Sequence, residues 1–130
     1  MIMNYILDTH VFLWFASDYI KLSPAAKKII EDGKNNIYLS SASIWELSIK
    51  IIIGKLKLKK DLNKFIAENI ARYGYIPIPV TIPHALAIAK LPEIHKDPFD
   101  RMLVAQASVE KMKIITSDGY IGKYNVKTVW

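Results

Sequence analysis

The chain has 130 residues, 52% apolar and 23% charged, with 5 Gly and 6 Pro, which indicates one ordered globular domain and excludes a disordered, repetitive or two-domain organisation. A chain of this size buries roughly 65–70% of its unfolded surface and needs no disulfide to fold; having no cysteine, it excludes thiolate zinc sites, cysteine nucleophiles and CxxC redox chemistry, and suits a reducing compartment. Eighteen Lys and Arg against twelve Asp and Glu give a formal charge of +6, which favours a polyanionic partner.

No Lys or Arg precedes the first apolar stretch, and Asn4, Asp8 and His10 interrupt it, so the chain reads as soluble and cytoplasmic, without signal peptide or membrane span. Tyr5-Ile6-Leu7 predicts a first strand, and Val11 to Phe15 a helix. Ser23-Pro24 predicts the start of a second helix and Gly33 its end. Ile37-Tyr38-Leu39 reads as a second strand, followed by an apolar helix from about Ala42 to Ile53 that stops at Gly54. Lys50, Lys55, Lys57, Lys59, Lys60 and Lys64 then crowd a segment whose one acid is Asp61. A one-sided helix over 61–73 follows, with Leu62, Phe65, Ile66 and Ile70 as its apolar positions. Tyr75 to Val80 holds two prolines and suits a sheet edge. A short helix over 83–91 and a longer one from Asp97-Pro98 to about Lys111 follow, then a strand over 113–116 and a further one over 126–129. The alternation argues an α/β domain: a single domain over 1–130 with a mostly parallel four- to five-stranded sheet, helices covering both faces. In such sheets ligands bind beyond the carboxyl ends of the strands.

Four acids fall in that layer: Asp8 after strand one, Glu46 one turn into a helix, Asp100 in the first turn of a late helix, and Asp118 after strand four. Each has an ordinary reading. Asp8 can cap a helix, Asp100 can stabilise a helix start behind an Asp97 cap, and Asp118 before Gly119 can be a turn residue. Glu46 can pair with Lys50 on the helix surface, worth about 0.3–0.5 kcal/mol. Together the four would repel one another unless a cation lay between them. The available donors are oxygens, with Thr9 and Thr116 nearby, which points to Mg²⁺ or Mn²⁺. A carboxylate-held pair of such ions suits phosphodiester hydrolysis.

Other chemistries lack their residues. The glycines at 33, 54, 74, 119 and 122 form no GxxxxGK[ST], GxGxxG or GxSxG spacing, and the histidines at 10, 84 and 95 form no HExxH and no close pair. His84 reads as a helix-start residue. A phosphatase with an Asp-x-Asp pair would need an acid where His10 stands.

Four stretches, LDTHVFLW at 7–14, SSASIWELSIKIIIGKLKL at 40–58, HKDPFDRMLVAQA at 95–107 and IITSD at 114–118, resemble the PIN domain, specifically the VapC-type ribonuclease toxins of prokaryotic toxin–antitoxin pairs. The resemblance implies that Asp8, Glu46, Asp100 and Asp118 are the catalytic, metal-binding carboxylates, with Thr9 and Thr116 in support and Asp97 as a helix cap. It also implies a homodimer, Mg²⁺- or Mn²⁺-dependent cleavage of RNA, and inhibition by a small antitoxin that covers a groove and reaches the site. With only Arg72 and Arg101 against sixteen lysines, bidentate phosphate clamping is scarce and RNA contact should be strongly salt-dependent. Lys50 and Arg101 are candidate RNA contacts, each equally able to pair with a neighbouring acid. Phe12, Trp14 and Phe15 read as core or dimer-interface residues before base-stacking ones. Two other functions stay open: a PIN-like nuclease of RNA processing, and a non-catalytic basic module that binds RNA or protein.

Overall fold

The computed structural model describes residues 2–130. Strand β1 (Asn4–Leu7) runs into helix α1 (Thr9–Ser17), a 3-10 turn (Tyr19–Lys21) and α2 (Pro24–Glu31); β2 (Asn36–Ser40), α3 (Ser41–Ile52), α4 (Leu62–Tyr73) and β3 (Ile76–Ile78) follow. The chain continues through α5 (Ile82–Ile88), α6 (Pro98–Glu110), β4 (Lys113–Ile115), a second 3-10 turn (Ile121–Lys123) and β5 (Thr128–Val129).

Local chemistry sets the helix ends. Ser23 Oγ accepts from the Ala26 amide with Pro24 at the first helical position, and Asp61 and Asp97 cap α4 and α6. Gly74 closes α4 in the left-handed conformation (φ 68°), where a side chain would be strained. Helix α2 stops at Glu31, short of Gly33, because Asp32 takes the cap position. Helix α5 is shorter than its apolar pattern suggests. Lys90 and Leu91 continue it only as i to i+3 turns, since a residue before proline, here Leu91 before Pro92, is pushed away from helical geometry.

The sheet is fully parallel, in the order β3-β2-β1-β4-β5. Strand β3, with Pro77 at its centre, lies at an edge, where a missing donor costs little. Side chains alternate across the pleat. Tyr5 and Leu7 of β1 face a core with Phe12, Phe15, Ile30, Leu39, Leu47 and Ile66, whereas Ile6 joins Ile114, Leu103, Val104, Ala107 and Ile121 on the other face. Phe12 and Phe15 are thus core residues, and Trp14 is half-buried, edge-on to Trp130. Among the described residues no helix is long and apolar enough to cross a membrane.

The order places one feature above the rest. From β1 the chain adds β2 and β3 on one side and then returns to add β4 and β5 on the other. The reversal leaves a crevice between the carboxyl ends of β1 and β4, the place where open α/β sheets bind ligands.

Candidate active site

Asp8 stands at the end of β1 in that crevice, 3% exposed. Its Oδ2 accepts from the Thr116 hydroxyl at 2.6 Å, and its Oδ1 accepts from the His10 amide at 3.4 Å, a loose cap on α1. Thr116 follows β4 directly, and the same hydroxyl accepts from the Asp118 amide at 3.0 Å. One threonine therefore ties the ends of β1 and β4 to the Asp118 segment. Burial pushes the Asp8 carboxyl up, the Thr116 hydrogen bond and His10 oppose this, and the charge of Asp118 adds to it.

Asp100 lies in the first turn of α6, behind its Asp97 cap. Burial, and then the charges of Asp97, Asp8 and Asp118, push its carboxyl up to about 7, against a hydrogen bond from His95. The structure thus brings Asp8, Asp100 and Asp118 from three segments within electrostatic reach of one another. Glu46, also buried, lies one helical turn beyond Ser43, whose Oγ accepts from the Thr9 hydroxyl at 2.8 Å. That spacing puts both α3 side chains on one face, so Thr9 holds α3 against the start of α1.

Each acid already has an internal partner. Glu46 Oε2 pairs with Lys50 Nζ at 2.8 Å, Asp100 Oδ2 meets His95 Nε2 at 3.3 Å, and Asp118 Oδ1 accepts from the Tyr120 and Ile121 amides at 2.7 and 3.2 Å. In these rotamers no three acidic or histidine side chains among the described residues converge at coordinating separations. The donor set nonetheless fits a hard divalent cation. It is all oxygen; the buried Glu46 Oε1 has no partner, and three carboxylates repel one another across the crevice.

The two candidate RNA contacts are spoken for in different ways. Lys50 is the counter-charge of Glu46. Among the described residues Arg101 pairs with no acid: its Nη1 donates to the Pro92 carbonyl at 2.8 Å and the Tyr124 hydroxyl at 3.1 Å, bracing the loop before α6. No motif marks His95 beyond its opening the HKDPFD stretch, yet it bridges the site to the end of the second 3-10 turn, Nδ1 to the hydroxyl of the capping Tyr124 at 2.7 Å.

Asp100 supplies a pH test. Folded, it keeps its proton to about pH 7, whereas an ordinary aspartate gives it up near 3.8. Between those values the folded chain binds the extra proton, so this group lowers stability as pH rises, and its penalty is complete above pH 7. In metal-free protein, Asp100→Asn should match the parent near pH 4 and exceed it at pH 8 by on the order of 2–4 kcal/mol, read as a higher midpoint in thermal unfolding. A difference that does not change with pH would contradict the shift.

The PIN domain family model matches residues 5–127. The chain belongs to the PIN-domain family. Among curated proteins, this PIN domain is 33% identical over 58 residues to ribonuclease VapC16 of Mycobacterium tuberculosis, a match spanning 45% of this chain and 41% of the relative. Among solved structures it is similar to a VapBC2 complex from Rickettsia felis bound to a promoter DNA fragment, at TM-score 0.74 and 15% identity over 98% of this chain and 99% of the other. A DNA-bound VapBC from Salmonella typhimurium superposes at TM-score 0.68 and 13% identity, covering 98% and 97% of the two chains. FitAB bound to the IR36 DNA fragment gives TM-score 0.60 and 20% identity over 96% and 93%. These structural likenesses establish a shared fold.

Proposed function

We propose that this PIN domain is the toxin of a type II toxin–antitoxin pair, a Mg²⁺- or Mn²⁺-dependent endoribonuclease acting in the cytoplasm. The observation that carries the reading is the crevice between β1 and β4, where burial and then the charges of neighbouring carboxylates, Asp118 among them, raise the proton affinity of Asp8 and Asp100. These three and Glu46 are the residues that would hold the metal. Thr116 fixes the Asp8 carboxylate, and Thr9 holds α3, and with it Glu46, in place. A divalent ion bound there would polarise a water and stabilise the leaving oxygen of a phosphodiester. Lys50, next to Glu46, and the lysines of the 55–60 linker supply cations for the RNA backbone.

The names of the similar proteins, ribonuclease VapC16 and a member of the VapBC family of toxin–antitoxin systems, support the same reading. So does a groove of about 850 Å³ between α1, the 56–60 linker and α4. Trp14, Phe65 and Tyr73 line it together with Lys21, Lys60 and Arg72, which suits an acidic amphipathic segment of a small antitoxin. Trp45, Ile52, Ile82 and Leu86 remain exposed on α3 and α5 and give a homodimer its apolar surface.

A non-catalytic module is the second reading, favoured by the local bonds that Asp8, Asp118 and Glu46 make. It leaves the burial of Asp8 and the unpartnered Glu46 oxygen without a purpose. Purified protein incubated with total RNA separates the two: cleavage with Mn²⁺ that stops on adding EDTA is the expected result, with end sequencing to give the cut sites. Intact RNA in both, with no Mn²⁺-induced rise in melting temperature, would favour the non-catalytic module.

A further inference from the structure

We infer that Tyr120 is a base-stacking platform for single-stranded RNA at the mouth of the acidic crevice, an inference that rests on the nuclease reading above. The segment around it is built inward: Ile121 is fully buried and Tyr124 is 4% exposed, while Tyr120 between Asp118 and this core stays 53% exposed. Its backbone is pinned, because its amide donates to Asp118 Oδ1. Its ring is pinned as well. It runs parallel to the His95 imidazole in an offset stack, centroids 5.4 Å apart and planes within 12°.

That imidazole is itself fixed on both nitrogens, by the Tyr124 hydroxyl and by Asp100. Tyr120 is thus the outer layer of a stack whose inner layer touches one candidate metal ligand, and its amide touches another. A base laid on Tyr120 would bring its own phosphate to the acids that Asp100 and Asp118 present. Among the described residues the cation over the ring is Lys123, with Nζ 5.1 Å from the centroid. Lys123 is exposed, and a lysine on a flexible stem can leave the ring for the phosphate of the incoming nucleotide at little cost. An aromatic held rigid before binding loses little entropy on contact, and stacking tolerates any base because each has a π-face.

The test compares Tyr120→Ala and Tyr120→Phe with the parent by fluorescence anisotropy, using a short labelled oligoadenylate at low salt in EDTA, where no cleavage occurs. A base-free ribose-phosphate oligomer of the same length is the control. Tyr120→Ala should weaken oligoadenylate binding about 10-fold, the usual size of one base–aromatic stack. Tyr120→Phe should stay within about 2-fold, and neither change should affect the base-free oligomer or the Mn²⁺-induced rise in melting temperature. Equal oligoadenylate affinity for Tyr120→Ala and the parent overturns the platform, as does an equal loss in Tyr120→Phe. Parent protein that binds oligoadenylate through Tyr120 yet cuts no RNA with Mn²⁺ overturns the nuclease reading and leaves the platform standing.

Discussion

Asp100→Asn and Asp8→Asn should each lower Mn²⁺-dependent RNA cleavage by more than about 100-fold, the largest loss that even the outer partners of metal ligands produce when removed. The fold should survive. Asparagine keeps the size of the side chain and an oxygen that can accept from Thr116 at position 8 or meet His95 at position 100. Replacing either acid also removes a carboxylate that burial, and then neighbouring charge, disfavours, so melting temperatures without metal should hold or rise. Circular dichroism and thermal unfolding report on the fold, while cleavage with and without Mn²⁺ reports on the site. Undiminished cleavage in both variants would mean that these acids serve only as helix-start residues, as their positions alone would allow.

Gln106→Leu should cost about 2–3 kcal/mol of stability, a drop of roughly 10 °C in the thermal midpoint for a chain of this size. Gln106, Ser40 and His84 are all fully buried. The Ser40 hydroxyl donates to Gln106 Oε1 at 2.6 Å, and Gln106 Nε2 donates to the Pro79 carbonyl at 3.3 Å and lies 3.4 Å from His84 Nδ1. Leucine fills the space but leaves a buried hydroxyl and a carbonyl without these partners, and such groups are expensive in a low-dielectric interior. The bond reaches further than stability. Ser40 is the N-cap of α3, which carries Glu46, and Gln106 lies on α6, which carries Asp100, so loosening it should also weaken Mn²⁺ binding. A chemical denaturation midpoint unchanged within about 0.5 kcal/mol would show that the network contributes little.

Much of this architecture was legible from residue order, and the reason is that its signals are local. Ser23-Pro24, Asp61 and Asp97-Pro98 start helices because a side-chain oxygen meets an amide two or three residues on. Pro77 marks an edge strand because it has no amide to donate. The four acids stood out because carboxylates after strands and in an apolar helix face are out of place. His95 was missed for the opposite reason: its partners, Tyr124 and Asp100, lie 29 and 5 residues away, and no spacing rule pairs a histidine with a tyrosine so far along the chain. The strand over 126–129 shrank to Thr128–Val129 because Asn125 and Val126 complete the turn after the second 3-10 element, with the Val126 amide donating to the Tyr124 carbonyl.

The amino-acid sequence by itself determined the element types, the parallel α/β class, the basic surface and an acidic, cysteine-free set of candidate ligands. Those follow from periodicity, capping and composition, which act over a few residues or none. Only the tertiary structure decided which acids meet. The Thr116 to Asp8 hydrogen bond joins residues 108 positions apart, and it exists because β4 returns to lie beside β1 while β2 and β3 occupy the other side. Strand order is a property of the whole sheet, and so are the burial and the charge repulsion that together push the Asp100 carboxyl up to about 7.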